Sequence, residues 1–165
     1  MRNTQSQLVF PNLFRKSLSL EKLSESKAQM YETFSHTADL GLRVKANSLE
    51  NLLEEAGKGL MSIFVDRPEE VRPLKEEQIS IEGTESEYLF FDWLTELLFR
   101  FETQQMLYCE FEIVLTEEGI AARVVGEECE ALRHQPSHEV KAITYHQLKT
   151  ERTKDGWLGE VIVDI

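Results

Sequence analysis

The chain has 165 residues and a formal net charge of −12, with 30 acidic against 18 basic side chains. That balance argues against a direct nucleic-acid binder, because Lys and Arg drive phosphate binding, and against attachment to an anionic membrane surface. A domain of this length needs no disulfide staples, and Cys109 and Cys129 form neither a C-x-x-C pair nor a zinc-ligand pattern.

Residues 1–29 stand apart. Arg2, Arg15, Lys16, Lys22 and Lys27 against Glu21 and Glu25 make this segment net +3, so residues 30–165 carry −15. Val9, Phe10, Leu13 and Phe14 are too scattered for a secretory apolar region, and no stretch reaches the roughly 20 apolar residues of a membrane span. The segment reads as a flexible extension, with a transit peptide as the second reading. Met30, where the periodic sequence begins, is a candidate translation start. Residues 30–165 read as the domain, and the acidic composition suits a cytoplasmic location.

Two short strands open the domain, Tyr31 to His36 and Leu40 to Ala46, joined through Thr37, Ala38 and Asp39. In the second, Leu40, Leu42, Val44 and Ala46 alternate with Gly41, Arg43 and Lys45, so one face is buried. A helix follows, with Asn47 as cap and Glu50 completing a capping box. Leu49, Leu52, Leu53, Ala56, Leu60, Ile63 and Phe64 form its apolar face. Gly57 and Gly59 within it each cost about 1 kcal/mol relative to Ala, and close packing of helix on sheet is the reason expected for both. Pro68 and Pro73 mark the exit loop.

Gln78 to Glu82 reads as a strand, and Thr84 with Glu87 as a second capping pair. The helix from Tyr88 to about Gln104 is apolar around most of its circumference, which predicts the central helix of the fold. Asp92, Glu96 and Arg100 make its polar stripe. Tyr108 to Leu115 and Ile120 to Val125 form a hairpin about Thr116–Gly119. A polar loop around Pro136 leads to a strand over Val140 to Lys149. Lys154, Asp155 and Gly156 then turn the chain into Trp157 to Val163. The class is α+β: a mixed, largely antiparallel sheet with two helices packed on one face.

The chemistry-bearing residues are few. Asp39 sits in a tight link, where Asp ordinarily bonds its own backbone. Asp164 follows the apolar run Val161, Ile162 and Val163 and precedes only Ile165. If that last strand docks in a sheet, Asp164 and Ile165 become fixed, and their oxygens near Asp39 make a hard-cation site of the calcium or magnesium type. His36, three residues before Asp39, and His146 read as orienting groups, since the histidine spacing matches no zinc pattern. Lys141 reads as a strand charge with a binding role as the alternative. There is no glycine-rich phosphate loop and no spacing that suggests a nucleophile with its base.

Several segments together resemble one family. His36-Thr37-Ala38-Asp39-Leu40-Gly41-Leu42 is similar to the opening motif of the archease family, and the helix from Leu49 to Leu60 to the helix after it. Phe91 to Leu98 resembles its second motif, His138 to His146 its third, and Val163-Asp164-Ile165 its ending. Gly57 and Gly59 depart from the alanine common there. The resemblance implies a small activator of an RtcB-type RNA ligase of tRNA splicing and RNA repair. Such an activator promotes guanylylation of the ligase and multiple turnover without joining RNA itself. It further implies metal ligands at Asp39, Asp164 and Ile165, with calcium the expected ion and magnesium or manganese competing for an all-oxygen site. His36, Lys141 and His146 would support the site or contact the partner. The competing readings are a metal-dependent phosphoester hydrolase using Asp39 and Asp164 with His36 as base, and a general chaperone-like adaptor.

Overall fold

The computed structural model describes residues 30–165. The flexible-extension reading of residues 1–29 lies outside the described residues. Thr37 takes a left-handed conformation (φ 55°) and joins β1 (Tyr31–His36) to β2 (Asp39–Ala46), which pair antiparallel. Then come α1 (Leu49–Phe64), β3 (Lys75–Glu82), α2 (Ser86–Gln104), β4 (Met106–Leu115) and β5 (Gly119–Glu128). The short α3 (Ala131–His134), β6 (Ala142–Ile143), β7 (Lys149–Thr153) and β8 (Gly156–Asp164) complete the order. No helix among the described residues is long and apolar enough to cross a membrane.

The α+β class and the antiparallel pairing are as expected, but the strands divide into two sheets instead of one. One has the order β1-β2-β8-β6, with β7 also paired to β8; the other is β3-β5-β4. Both helices touch both sheets, and α1 is the more fully enclosed of the two. None of its residues is exposed, whereas Tyr88 and Phe99 of α2 are more than half exposed.

The two glycines explain how α1 fits between sheets. Residues two apart on an α-helix point about 200° from each other, so Gly57 and Gly59 face nearly opposite ways. A Cβ on Gly57 would lie 2.6 Å from the Phe111 ring of β4, and one on Gly59 would lie 2.6 Å from Leu42 of β2. Each glycine therefore lets one sheet close on the helix, and burial on both sides offsets the propensity cost. Trp93 of α2 ties the helices together, its Nε1–H donating to the Leu53 carbonyl at 2.8 Å.

Three local expectations change. Ser48 caps α1 in place of Asn47, its hydroxyl accepting from the Asn51 N–H at 3.1 Å, because the extended residue lies one position later. Thr84 does not cap α2; Glu85 occupies the cap position with no side-chain hydrogen bond. The strand expected over Val140 to Lys149 is broken. Ala142–Ile143 pair with β8, a turn follows in which Gln147 is left-handed (φ 54°), and β7 starts afresh on β8 at Lys149. The stripe on α2 is as expected, with Arg100 Nε donating to Glu96 at 2.8 Å and Nη1 reaching Glu77 of β3 at 2.7 Å.

Candidate functional site

The register of the five-stranded sheet determines which polar side chains meet. β2 pairs β8 with Leu40 opposite Val163, and one step further along that register Asp39 stands opposite Asp164. Directly opposed residues share a face with Cβ atoms about 4.5–5.5 Å apart. On the flanking strands His36 pairs with Asp39 and Ala142 with Asp164. His36, Asp39 and Asp164 thus lie in one row at one end of the sheet. Their face is not the one packed on α1, which carries the fully buried Leu42, Val44 and Val161.

The other candidates join the same end. Lys141 donates its N–H to the Asp164 carbonyl at 2.8 Å, and its Nζ reaches the Ile165 carbonyl oxygen at 3.2 Å. The His146 ring meets the His36 ring edge-on, with centroids 5.4 Å apart and planes at 61°. Since β1 and β6 lie on opposite edges with β2 and β8 between them, this contact spans the strands that carry both aspartates. All six candidate residues therefore come from distant parts of the chain to one place.

The donor chemistry fits a hard divalent cation. Asp39 and Asp164 are both half-buried, and neither carboxylate has a hydrogen-bond or ion-pair partner among the described residues. Two like charges directly opposed in a sheet repel, and an oxygen-loving cation would relieve that repulsion. The Ile165 oxygen, which accepts from Lys141 Nζ, is a further oxygen at this end of the sheet. Among the described residues no group of three or more His, Cys, Asp or Glu side chains is placed to hold a metal, so main-chain oxygen and water would have to complete the shell. The buried His36 Nδ1 has no hydrogen-bond partner, leaving this ring nitrogen available beside the carboxylates.

A second polar cluster holds the segment that leads to Lys141, and the sequence pattern gives no sign of it. Glu127 at the end of β5 is buried, and so is His134. Arg133 grips the Glu127 carboxylate with Nη1 and Nη2 at 2.7 and 2.8 Å, the Arg72 N–H donates to it at 2.7 Å, and His134 Nε2 lies 3.2 Å away. His134 Nδ1 accepts from the Glu130 N–H at 2.8 Å, so Nε2 carries the proton. The Arg133 hydrogen bonds, against the opposing effect of burial and with help from the Arg72 N–H, hold the Glu127 carboxyl down at about 2. Backbone bonds from Asp66 to Gln135, Arg67 to His134 and Ser137 to Phe64 pin the following loop to the end of α1.

The chain has known relatives. Residues 31–165 match the model of the Archease protein family (MTH1598/TM1083). The chain belongs to the archease family. Protein archease of Methanopyrus kandleri is 41% identical over 139 residues, which cover 82% of this chain and 99% of that one. Its counterpart in Pyrococcus abyssi is 34% identical over 140 residues, covering 82% and 98%. The solution structure of protein 1598 from Methanobacterium thermoautotrophicum superposes with a TM-score of 0.73 at 28% identity, covering 83% of this chain and 99% of the other. The crystal structure of an archease from Thermotoga maritima, described as a possible chaperone, gives a TM-score of 0.58 at 25% identity, covering 81% and 96%.

Proposed function

We propose that this archease activates an RtcB-type RNA ligase in tRNA splicing and RNA repair, promoting guanylylation of the ligase and multiple turnover, and that it is not itself an enzyme. The observation that carries the reading is the gathering of Asp39, Asp164, Ile165, Lys141, His36 and His146 at one sheet end, with both aspartate carboxylates unpartnered among the described residues. Asp39, Asp164 and the Ile165 oxygen would hold a divalent cation, calcium first, with magnesium and manganese also suited to oxygen donors. Such a cation supplies charge neutralisation for phosphate oxygens.

The chain's own residues do the rest. The carboxylates face outward from the sheet, so a partner can approach them. Lys141 holds the last two residues, its N–H on the Asp164 carbonyl and its Nζ on the Ile165 oxygen. His36 and His146 pack edge-on against each other at the same end of the sheet. The −15 carried by residues 30–165 steers the protein to the basic surface that a ligase handling RNA and GTP presents, without direct binding to RNA. The site of action is the cytoplasm.

The test uses limiting ligase and excess RNA ends, with and without the full-length protein. Several joined products per ligase are expected only when the protein is present. Equal turnover in both arms refutes activation, and cleavage of a phosphoester or nucleotide without any ligase would favour the hydrolase instead.

A further inference from the structure

Next to the carboxylates, an exposed turn is tied down at both ends. Thr144 donates its N–H and its Oγ1 to the Ile162 carbonyl at 3.0 and 2.8 Å. Leu148 donates its N–H to the Tyr145 carbonyl at 3.2 Å, around the left-handed Gln147. Between these anchors stand Tyr145 and His146, both exposed. Tyr145 is 61% exposed, yet its ring lies flat on Phe91 of α2, with centroids 3.9 Å apart and planes at 14°. His146 is braced against His36.

An aromatic ring on the surface normally moves among rotamers, and binding through it means ordering it first. Here Phe91 fixes one face of the tyrosine and leaves the other open to solvent. A rigid, exposed tyrosine has the properties of an interface anchor, a large contact area already ordered before the partner arrives. Its open π-face attracts a guanidinium or ammonium group. The surroundings reinforce that preference: Asp92, next to Phe91 on α2, is exposed and has no ion-pair partner among the described residues. Asp39 and Asp164 lie at the same end of the sheet.

We infer that the Tyr145–His146 turn is the docking element through which the protein holds its partner at the carboxylate site, and that the partner places an arginine or lysine over the open face of Tyr145. This rests on the ligase reading above and names the contact that reading lacks. The carboxylates act in stimulation and the turn acts in affinity, so the two roles separate experimentally.

Titrating labelled full-length protein with the ligase gives the dissociation constant, and ligase–GMP formation at saturating protein gives the maximal stimulation. Tyr145→Ala is expected to weaken binding roughly tenfold or more while reaching wild-type stimulation at saturation. Tyr145→Phe, which keeps the ring, is expected to bind within about threefold of wild type, since cation–π attraction needs only the ring face. Leu132→Ala, at an exposed leucine on α3, is the control and should change neither quantity. Asp39→Ala should stimulate poorly even at saturating protein. Thermal unfolding of each variant verifies that it is folded. If Tyr145→Ala binds as tightly as wild type, or loses maximal stimulation with its affinity intact, the docking role is overturned while activation stands. If wild type neither binds nor stimulates, the reading of function falls and the docking element with it.

Discussion

Replacing Glu127 by glutamine should make stability depend on pH in a way that isolates one carboxylate. In the folded protein this group sits at about 2, against an ordinary 4.5. A depressed carboxyl stabilises the fold above its unfolded value and loses that contribution as pH falls from about 4.5 through about 2. At about 1.4 kcal/mol per pKa unit the upper limit is roughly 3.5 kcal/mol, and solvent at the Arg133 side brings the expected effect to about 2 kcal/mol. Geometry argues for the same order. The glutamine would keep the acceptor for the Arg72 N–H but lose half of the fork that now grips Arg133, and hydrogen bonds to charged groups contribute about 1.5–3 kcal/mol. The assay is urea unfolding of wild type and Glu127→Gln at pH 7, 4 and 2.5. Other carboxylates titrate in both proteins and cancel in the difference. Wild type should lead by about 2 kcal/mol at pH 7, and the lead should shrink toward pH 2.5. A difference that stays constant over that range would refute the assignment of Glu127 as the charged centre of the knot.

Three further outcomes follow from packing and from the carboxylate row. Gly57→Ala gains about 1 kcal/mol of helix propensity but drives a methyl into the Phe111 ring, which Trp93 and Tyr108 hem in edge-on. Overpacking costs about 1–3 kcal/mol, so the variant should be less stable by about 1 kcal/mol in urea unfolding, and adding Phe111→Leu should reverse the sign of the glycine effect. Ser48→Ala removes the cap of α1 and should cost about 1 kcal/mol, whereas Asn47→Ala should be nearly neutral; the opposite order would restore Asn47 as the cap. Calcium should raise the melting temperature of wild type by several degrees at concentrations well above its dissociation constant, where ligand linkage reaches about 2.7 kcal/mol. A chelator should reverse that shift, and Asp39→Ala and Asp164→Ala should not show it. Equal shifts in all three proteins would place the ion elsewhere.

Much of the architecture is legible because it is local. Alternation at Leu40–Ala46, helical spacing from Leu49 and the turn at Gly156 depend on neighbours a few residues away. The two glycines inside α1 could be tied to close packing, because only a tight contact justifies them in a helix. That there are two contacts, on opposite sides, depends on how the strands divide into sheets, and β-pairing over long separations leaves no local trace. The same limit explains the helix expected to be central. The apolar girth of α2 is evident, but it turns Tyr88 and Phe99 outward while no residue of α1 is exposed. The strand expected through Lys149 fails at Gln147, whose left-handed backbone comes with no glycine or asparagine to signal it. At the candidate site, Asp39 and Asp164 can be singled out one at a time, but their opposition is a matter of register between β2 and β8. Glu127 and His134 escape notice altogether, since a glutamate ending a strand and a histidine in a polar stretch read as solvated. The stack of Tyr145 on Phe91 joins residues 54 positions apart and has no signature in either segment.

On the proposed function, Asp39 and Asp164 act together to promote ligase guanylylation. The most direct measurement is the rate of ligase–GMP formation with GTP and a divalent cation, comparing saturating wild type with the Asp39→Ala and Asp164→Ala variants, each first shown to be folded by its melting curve. Wild type is expected to accelerate formation, and either substitution to return the rate to that of ligase alone. Stimulation by both variants equal to that of wild type would contradict it.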